Sequence, residues 1–251
     1  MSPVAQFTED EVERYARHLV LAEVGGPGQQ KLARARVLIV GAGGVGGPAA
    51  LYLAAAGAGM IGLVDADTVS LSNLQRQIQF AAADIGRPKV EAAAERLTGI
   101  NPHVVVRTHP EMLTSETAAA LISGYDIVLD GTDDFSTRFA VNAACVARGV
   151  PLVSGALGRW DGQVGVFEGR PCYQCLVPET PPDAETCARV GVVGALAGIV
   201  GAMAALEVVK RITGAGEPLT GRLLLYDGLN ATARTVRIAA DPHCPVCSRP
   251  A

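Results

Sequence analysis

A short apolar run followed by a glycine-rich turn restricts this chain to a small set of folds. Residues 36–40 read Arg-Val-Leu-Ile-Val, which predicts a strand buried on both faces of a sheet. The next seven residues, 41–47, contain five glycines and lead into a predicted helix over about residues 44–56. A strand, a glycine turn and a helix in this order can bind phosphate, because unhindered backbone and the N–H groups of the helix N-terminus attract anions.

Strand and helix patterns alternate along the chain after this turn. Short connections between alternating elements are typical of a mostly parallel sheet with helices on both faces. After Gly155 the pattern changes, and the tail is predicted to be antiparallel. The predicted fold class is therefore α/β, a Rossmann-like, doubly wound, mostly parallel sheet extended by C-terminal antiparallel strands. The further predicted strands are 60–64, 104–107, 127–130, 152–154, 163–167, 223–226 and 233–238, and the helices are 89–97, 115–122, 138–148 and 193–212.

At 251 residues the chain is predicted to form one domain with three parts. Residues 1–35 form a helical arm, residues 36–155 a nucleotide-binding core, and residues 156–251 an extension. The arm is predicted to hold one or two short helices over residues 7–32, interrupted by the Gly-Gly-Pro-Gly sequence at 25–28.

Composition excludes several classes of function. Charged residues make up 18% of the chain and the net charge is -4, so a broad basic surface for nucleic acid is not expected. The N-terminus lacks the pattern of a secretory signal, which predicts a cytoplasmic protein. Residues 190–206 are uncharged but contain four glycines and precede Glu207, which favours a buried helix over a membrane span. Six cysteines in such a protein are not expected to form a disulfide framework.

An acidic residue strengthens the prediction of a nucleotide site. Asp65 ends the second predicted strand, 24 residues after the first loop glycine, where a carboxylate can accept hydrogen bonds from ribose hydroxyls. The same pattern also fits an NAD-dependent oxidoreductase, so it does not identify the reaction. The candidate loop residues are Gly41, Gly43, Gly44 and Gly46.

Cations and carboxylates are predicted to meet at the carboxyl edge of the sheet. Some of these residues follow the second predicted strand, one begins the helix at 89–97, and others follow the fourth predicted strand. Transfer of a nucleotidyl group needs cations against a triphosphate and a carboxylate to hold Mg²⁺, whereas hydride transfer needs neither. The candidate residues are Asp67, Ser72, Asn73, Arg76, Lys89, Asp133 and Asp134.

Two Cys-x-x-Cys pairs predict a structural metal site. Cys172 with Cys175, and Cys244 with Cys247, supply the four thiolates of a tetrahedral Zn²⁺ site. A single pair would also fit a redox site, but two pairs leave no open coordination position. Cys145 lies in an apolar helical pattern and is expected to be a buried, inert thiol.

Taken together, these motifs resemble the ubiquitin-activating-enzyme-like superfamily, in its MoeB/ThiF branch, over nearly the whole chain. The resemblance implies that ATP adenylates the C-terminal glycine of a ubiquitin-fold sulfur-carrier protein ending in Gly-Gly, with release of pyrophosphate. Since the carrier's own carboxylate attacks the α-phosphate, the enzyme needs no nucleophile for this step and contributes positioning and charge stabilisation. The extension at 156–251 would bind the carrier.

The resemblance also implies a role for individual residues. The loop around Gly44 would approach the phosphates and Asp65 would hold the ribose. Asp133 would bind Mg²⁺. The residues implied to contact the triphosphate are Asn73, Arg76 and Lys89.

Three further expectations come from the same resemblance. Arg17 matches an arginine that reaches into the ATP site of the neighbouring subunit, which implies a homodimer. Cys187 matches a cysteine proposed to accept the carrier or its sulfur, and nearby Arg189 would favour the thiolate. A separate sulfur donor is expected because no sulfur-transferring domain follows Cys247 in this sequence.

Two alternatives stay open. An NAD-dependent oxidoreductase would leave Arg76, Lys89 and the cysteine pairs without a shared purpose. A non-catalytic module that binds a ubiquitin-fold partner is disfavoured because Arg76, Lys89 and Asp133 are all present. Whether the carrier serves molybdopterin, thiamin, cysteine or tRNA thiolation is not determined by the sequence.

Overall fold

The computed structural model describes residues 7–181 and 191–248, and an eight-stranded sheet organises them. The strands lie in the order β3-β2-β1-β4-β5-β6-β7-β8, parallel from β3 to β5 and antiparallel from β5 to β8. This confirms the predicted fold class. The strands are β1 Arg36–Val40, β2 Met60–Val64, β3 Val105–His109, β4 Ile127–Asp130, β5 Leu152–Leu157, β6 Asp161–Phe167, β7 Arg222–Asp227 and β8 Thr232–Arg237.

Helices cover both faces of the parallel part. Strand side chains alternate between faces, so Val37 and Ile39 join one core cluster while Leu38 and Val40 join the other. Burial on both sides explains why β1 is an unbroken apolar run. The helices are α1 Glu9–Arg14, α2 Ala16–Leu19, α3 Gly25–Arg34, α4 Gly46–Ala55, α5 Lys89–Ile100, α6 Ser115–Ile122, α7 Phe135–Arg148, α8 Tyr173–Leu176 and α9 Gly194–Thr213.

The prediction for the N-terminal arm was wrong in two respects. Residues 7–35 contain three helices, and the Gly-Gly-Pro-Gly sequence does not interrupt them but forms the first turn of α3. Pro27 is tolerated there because the first N–H groups of a helix have no partner within the helix. Thr8 and Glu11 form a capping box at the start of α1, in which each accepts a hydrogen bond from the backbone N–H of the other.

The apolar helix near the C-terminal end is part of the core. Helix α9 packs against α4 and against β5 and β6, with Val200, Ala204 and Val208 fully buried. This confirms the prediction of a buried helix. Within residues 7–181 and 191–248, no helix is both long enough and apolar enough to cross a bilayer.

The strand order determines where a ligand can bind. Strand β1 pairs with β2 on one side and with β4 on the other, so the connections leaving β1 and β4 run to opposite faces and open a crevice at their carboxyl ends. The glycine turn lies at this crevice, and its two ends approach each other closely. A Cβ at Gly46 would lie 1.9 Å from the carbonyl oxygen of Gly41.

We predict that Gly46→Ala will lower the free energy of unfolding by about 3 kcal/mol, because the added methyl group meets rigid backbone. Urea denaturation measures this change. The matched control is Gly99→Ala inside α5, where a Cβ has no neighbour within 4 Å and alanine favours the helix, so stability should rise by up to about 1 kcal/mol. Equal stabilities of the two variants would contradict the close packing at Gly46.

Candidate active site

A buried glutamine, Gln79, hydrogen-bonds to the glycine turn between β1 and α4. Gly41 has a φ of +88°, a conformation that favours glycine. The Nε2 of Gln79 donates to the carbonyl oxygens of Ala42 at 2.8 Å and Gly43 at 3.3 Å. A Cβ at Gly47 would lie 2.2 Å from the Gln79 side chain. Gln79 thus fixes the turn and is a residue that the sequence analysis missed.

A cavity of about 570 Å³ opens above this turn, at the carboxyl ends of β1, β2, β4 and β5. The structure brings most of the predicted site residues together in its wall. Gly46 and Ser72 are not among the lining residues, although both are adjacent in sequence to the segments that are. The predicted residues that line the cavity are Gly41, Gly43, Gly44, Asp65, Asp67, Asn73, Arg76, Lys89, Asp133 and Asp134.

Lys89 and two aspartates form a charged group on one side of the cavity. The Nζ of Lys89 donates to Asp67 at 2.7 Å and lies 3.9 Å from Asp65. The Lys89 side chain is only 7% exposed, whereas that of Asp67 is 71% exposed. An almost fully buried ammonium group needs such partners, because burial without them strongly disfavours the charge.

Asp65 is positioned by the backbone of two loops. Its carboxylate oxygens accept from the N–H of Ala42 at 2.8 Å and of Asp67 at 2.9 Å. Burial raises the pKa of Asp65, and Lys89 and these N–H donors offset part of the rise. Each carboxylate oxygen can accept more than one hydrogen bond, so both retain capacity toward the cavity.

The segment after β2 places a cation beside the glycine turn. Its backbone packs tightly, since a Cβ at Gly194, the first residue of α9, would lie 2.2 Å from the Gln75 carbonyl oxygen. Arg76 is half-buried and donates to the Ser72 carbonyl oxygen at 3.0 Å. Its side-chain carbons lie 3.8 Å from the position that a Cβ at Gly44 would occupy, which is an ordinary van der Waals distance. Asn73 uses its Oδ1 to accept from the Ser70 N–H at 3.2 Å.

The two aspartates after β4 differ in their contacts. Asp134 caps α7 by accepting from the N–H of Thr137 at 2.8 Å. Burial opposes its ionisation, but hydrogen bonds from Ser136 and Thr137 lower its pKa overall. Asp133 is exposed to the cavity and makes no side-chain hydrogen bond within the described parts of the chain. Its carboxylate therefore keeps its oxygens available as metal ligands, the donor type that Mg²⁺ prefers.

A buried arginine in the cavity wall was not identified from the sequence. Arg138 is 5% exposed, lies 3.9 Å from Asp130, and donates to the carbonyl oxygens of Gly155 at 3.0 Å and of Thr132. Only the fold brings these partners together, because they lie on β4, on β5 and in the loop between β4 and α7. A cation within a largely apolar helical pattern was the available signal.

The four predicted zinc ligands converge beside the middle of α7, where Asn142 contacts Cys172. The Sγ atoms of Cys172, Cys175, Cys244 and Cys247 all lie within 4.8 Å of one another. The Cys172–Cys244 and Cys175–Cys247 pairs are 3.6 and 3.4 Å apart, too far for disulfide bonds. Four sulfurs each about 2.3 Å from one Zn²⁺ would lie about 3.8 Å apart, so the cluster fits the tetrahedral site.

The pKa values of the clustered thiols shift in both directions. Burial raises the pKa of Cys172, and burial together with a hydrogen bond to Cys175 raises that of Cys247. Although burial of Cys244 opposes ionisation, the backbone N–H groups of Cys247 and Val246 lower its pKa to about 7. The N–H of Asp241 points at the Sγ of Cys175 at 3.4 Å. N–H donors directed at sulfur stabilise the thiolate form that binds metal. Cys145, by contrast, is buried in the core and its pKa is raised, as expected of an inert thiol.

Two predicted residues lie elsewhere. Arg17 is exposed on the short helix α2 and is not among the residues that line the cavity. Its neighbours Tyr15 and His18 anchor this helix, Tyr15 to Asn101 and His18 to Gln29. Cys187 lies outside the described residues.

Comparison with known families and proteins agrees with this geometry. The ThiF family model matches residues 15–246. The sulfur carrier protein adenylyltransferase of Thermus thermophilus is 46% identical over an alignment that covers 96% of this chain and 93% of that protein. The molybdopterin-synthase adenylyltransferase of Escherichia coli is 43% identical and is covered completely, with 98% of this chain.

Longer relatives and solved structures extend the likeness. The probable adenylyltransferase/sulfurtransferase MoeZ of Mycobacterium tuberculosis is 46% identical over 98% of this chain and 64% of that protein. Among solved structures, Escherichia coli MccB crystallised with a form of MccA aligns with a TM-score of 0.84 over 99% of this chain and 77% of that chain. Because MccB is only 23% identical to this chain, its similarity concerns the fold alone.

We predict that Cys244→Ser will reduce bound zinc from about one ion per chain to a small fraction and will lower the free energy of unfolding, because a thiolate ligand is lost. Metal analysis and urea denaturation measure the two effects. Cys145→Ala is the control, since it removes a buried thiol that lies outside the cluster. Unchanged zinc content in Cys244→Ser would contradict the four-cysteine site.

Proposed function

The chain belongs to the ThiF family, and from this we propose that it uses ATP to adenylate the C-terminal glycine of a ubiquitin-fold sulfur-carrier protein. It is an adenylyltransferase, as its relatives from Thermus thermophilus and Escherichia coli are named. One observation carries the proposal. A single cavity joins the glycine turn, the cations Arg76, Lys89 and Arg138, and the uncommitted carboxylate of Asp133.

The cavity suits ATP in three respects. The turn from Gly41 to Gly44 lines the cavity with three glycines, whose lack of side chains allows close approach of phosphates. Asp65 keeps hydrogen-bonding capacity for ribose hydroxyls. Arg76 and Lys89 supply positive charge for the triphosphate, and Asn73 lines the same cavity.

Asp133 is the proposed ligand of Mg²⁺. Its carboxylate lies at the cavity and is not used by a helix cap, unlike that of Asp134. A bound Mg²⁺ would offset the negative charge of the triphosphate and of the departing pyrophosphate. Asp67 adds a second exposed carboxylate to the cavity wall once Lys89 turns to phosphate.

The proposed reaction needs no protein nucleophile. A carboxylate oxygen of the carrier's terminal glycine attacks the α-phosphorus of ATP, and the bond from that phosphorus to the oxygen bridging to the β-phosphate breaks. The bond's electron pair leaves with pyrophosphate, and the product is an acyl-adenylate. The protein contributes by aligning the two anions and by placing cations where charge accumulates on the leaving group.

A groove next to the cavity is the proposed path of the carrier's tail. It has a volume of about 830 Å³, is formed by β6, β7 and β8, and shares Phe135, Ala156, Leu157 and Gln163 with the cavity wall. A Cβ at Gly162 in this groove would lie 2.3 Å from Val200, so the groove floor is closely packed. A flexible tail ending in Gly-Gly is narrow enough to pass from such a groove to the α-phosphate.

The proposal also covers the oligomeric state, the bound metal, the sulfur source and the location of the protein. We propose a homodimer in which Arg17 enters the neighbouring subunit's cavity, a structural Zn²⁺ in the cysteine cluster, a separate sulfur donor, and a cytoplasmic location. Cys187, which lies outside the described residues, stays a predicted acceptor of the carrier or its sulfur. The pathway served by the carrier stays open among molybdopterin, thiamin, cysteine and tRNA thiolation.

The two alternatives receive less support. An oxidoreductase has no use for cations and a free carboxylate around a triphosphate, and the named relatives are adenylyltransferases. A module without activity would not need this set of residues. Exchange of labelled pyrophosphate into ATP, measured with each of several ubiquitin-fold carriers and with the same carriers lacking the last glycine, tests the proposal. Exchange that requires the intact carrier supports it, and NAD binding without any exchange would contradict it.

We predict that Asp133→Ala will reduce pyrophosphate exchange at least about 100-fold while leaving the unfolding midpoint almost unchanged, because an exposed metal ligand is removed and no core packing is lost. The control is Asp126→Ala at the opposite edge of the sheet, where an exposed ion pair with Arg36 contributes under about 1 kcal/mol. Full exchange activity in Asp133→Ala would remove this residue from the site.

We predict that Arg17→Ala and Asp133→Ala, each inactive alone, will together regain about a quarter of wild-type exchange when unfolded and refolded as a mixture. A mixed dimer has one doubly altered site and one intact site if Arg17 acts in the neighbouring subunit. A mixture of Asp133→Ala with Lys89→Met, treated in the same way, should stay inactive. Both residues line the cavity of their own chain, so every site of the mixed dimer carries one of the two changes. No recovery in the first mixture would contradict the shared site.

A further inference from the structure

Helix α7 connects the nucleotide cavity to the cysteine cluster. Its first turn lines the cavity with Phe135, Thr137 and Arg138. One turn further along, Asn142 lies on the same side of the helix as Arg138, because residues four apart share a helix face. Asn142 is 1% exposed and makes its hydrogen bonds to the cysteine loop.

Asn142 contacts the cysteine loop with both ends of its side-chain amide. Its Oδ1 accepts from the backbone N–H of Tyr173 at 2.8 Å, and its Nδ2 donates to the Sγ of Cys172 at 3.5 Å. A donor to a thiolate orients the ligand and stabilises its charge, as groups around metal ligands commonly do. Asn142 therefore fixes the first Cys-x-x-Cys pair against α7.

Tyr173 lies between the two cysteines of that pair and also forms part of the cavity wall. The guanidinium carbon of Arg138 lies 5.9 Å from the centre of its ring, and Phe139 and Phe167 pack against the same ring at 6.2 and 5.7 Å. The residue is 3% exposed, so the ring has little freedom to move independently of the cysteine loop.

Arg138 continues this contact into the site. It donates to the carbonyl oxygen of Thr132, the residue immediately before Asp133, and to the carbonyl oxygen of Gly155 at 3.0 Å. A displacement of the Tyr173 ring would thus disturb the side chain that holds the Asp133 loop to β5. The chain of contacts from Cys172 to the proposed metal ligand Asp133 is unbroken.

We propose that Asn142 and Tyr173 are positioning residues that couple Zn²⁺ in the cysteine cluster to the binding of Mg²⁺ and ATP in the cavity. The inference rests on the proposed function, since it assumes that the cavity binds ATP and the cluster binds zinc. Zinc holds Cys172 and Cys175 together, which sets the position of Tyr173 and, through Arg138, of the Asp133 loop. The coupling is reciprocal, so Mg²⁺ with ATP must strengthen zinc binding by the same factor by which zinc strengthens nucleotide binding.

The test is the rate at which the zinc-loaded protein releases zinc to a chromogenic chelator, with and without saturating Mg²⁺ and ATP and with no carrier present. The wild-type chain should release zinc at least about fivefold more slowly with the nucleotide. Asn142→Leu, which has similar size but no hydrogen-bonding groups, should release zinc about tenfold faster than the wild type without nucleotide.

Tyr173→Leu separates coupling from zinc binding itself. This variant keeps the backbone N–H that Asn142 accepts from and all four cysteines, but it removes the ring beside Arg138. It should bind one zinc per chain and lose the effect of nucleotide on release. The matched control is Tyr125→Leu, which removes a buried ring from the same core cluster without lining the cavity, and should retain the effect.

Two results would overturn the coupling. One is a wild-type release rate that does not change with Mg²⁺ and ATP while calorimetry shows that the nucleotide binds. The other is a nucleotide effect in Tyr173→Leu as large as in the Tyr125→Leu control. The proposed function fails by a different result, the absence of carrier-dependent pyrophosphate exchange, because the release assay contains no carrier.

Discussion

The close approach of two backbone segments at the end of β1 is the constraint on which the site depends. Gly46 meets the carbonyl oxygen of Gly41 with no room for a Cβ, and this brings the first turn of α4 directly over the strand end. Gln79 then occupies the loop carbonyls, which keeps the turn in one conformation. Every other group in the cavity is positioned relative to this turn, since β2 and β4 flank β1 in register.

The two buried cations of the cavity wall each lie beside a carboxylate. Lys89 is held by Asp67 and Asp65, and Arg138 by Asp130 and by backbone carbonyl oxygens. The two cations differ in what they can do. The nearer partner of Lys89 is the exposed carboxylate of Asp67, which water can solvate when the lysine turns to a phosphate. Arg138 is surrounded by buried partners and is suited to hold the loop of Asp133 in place.

The sequence was informative where a residue's role follows from local pattern. Strands β1, β2 and β4 have their predicted bounds because burial on both faces leaves an unbroken apolar run ended by glycine or aspartate. The cysteine cluster was predictable because zinc sites need thiolates at short, repeated spacing. Helix α7 begins three residues earlier than predicted, since Asp134 caps it, a contact that depends on the loop conformation.

Other features depend on contacts between distant segments and were not predictable. Gln79, Arg138 and Asn142 read as ordinary polar residues within their segments, and their partners lie 36, 17 and 31 positions away. The Gly-Gly-Pro-Gly sequence was assigned to a break because glycine and proline usually end helices, yet the same residues fit the first turn of α3. Functional contacts between elements thus required the structure, whereas the edge of the sheet at which they occur did not.

The most direct test of the account is the intact mass of a Gly-Gly carrier after incubation with this protein, Mg²⁺ and ATP, quenched in acid to preserve an acyl-adenylate. The account predicts a carrier species heavier by one AMP group, which is absent when the carrier lacks its last glycine. Detection of bound ATP with no AMP-modified carrier, across carriers of all four pathways, would contradict the claim that this cavity adenylates a carrier's terminal carboxylate.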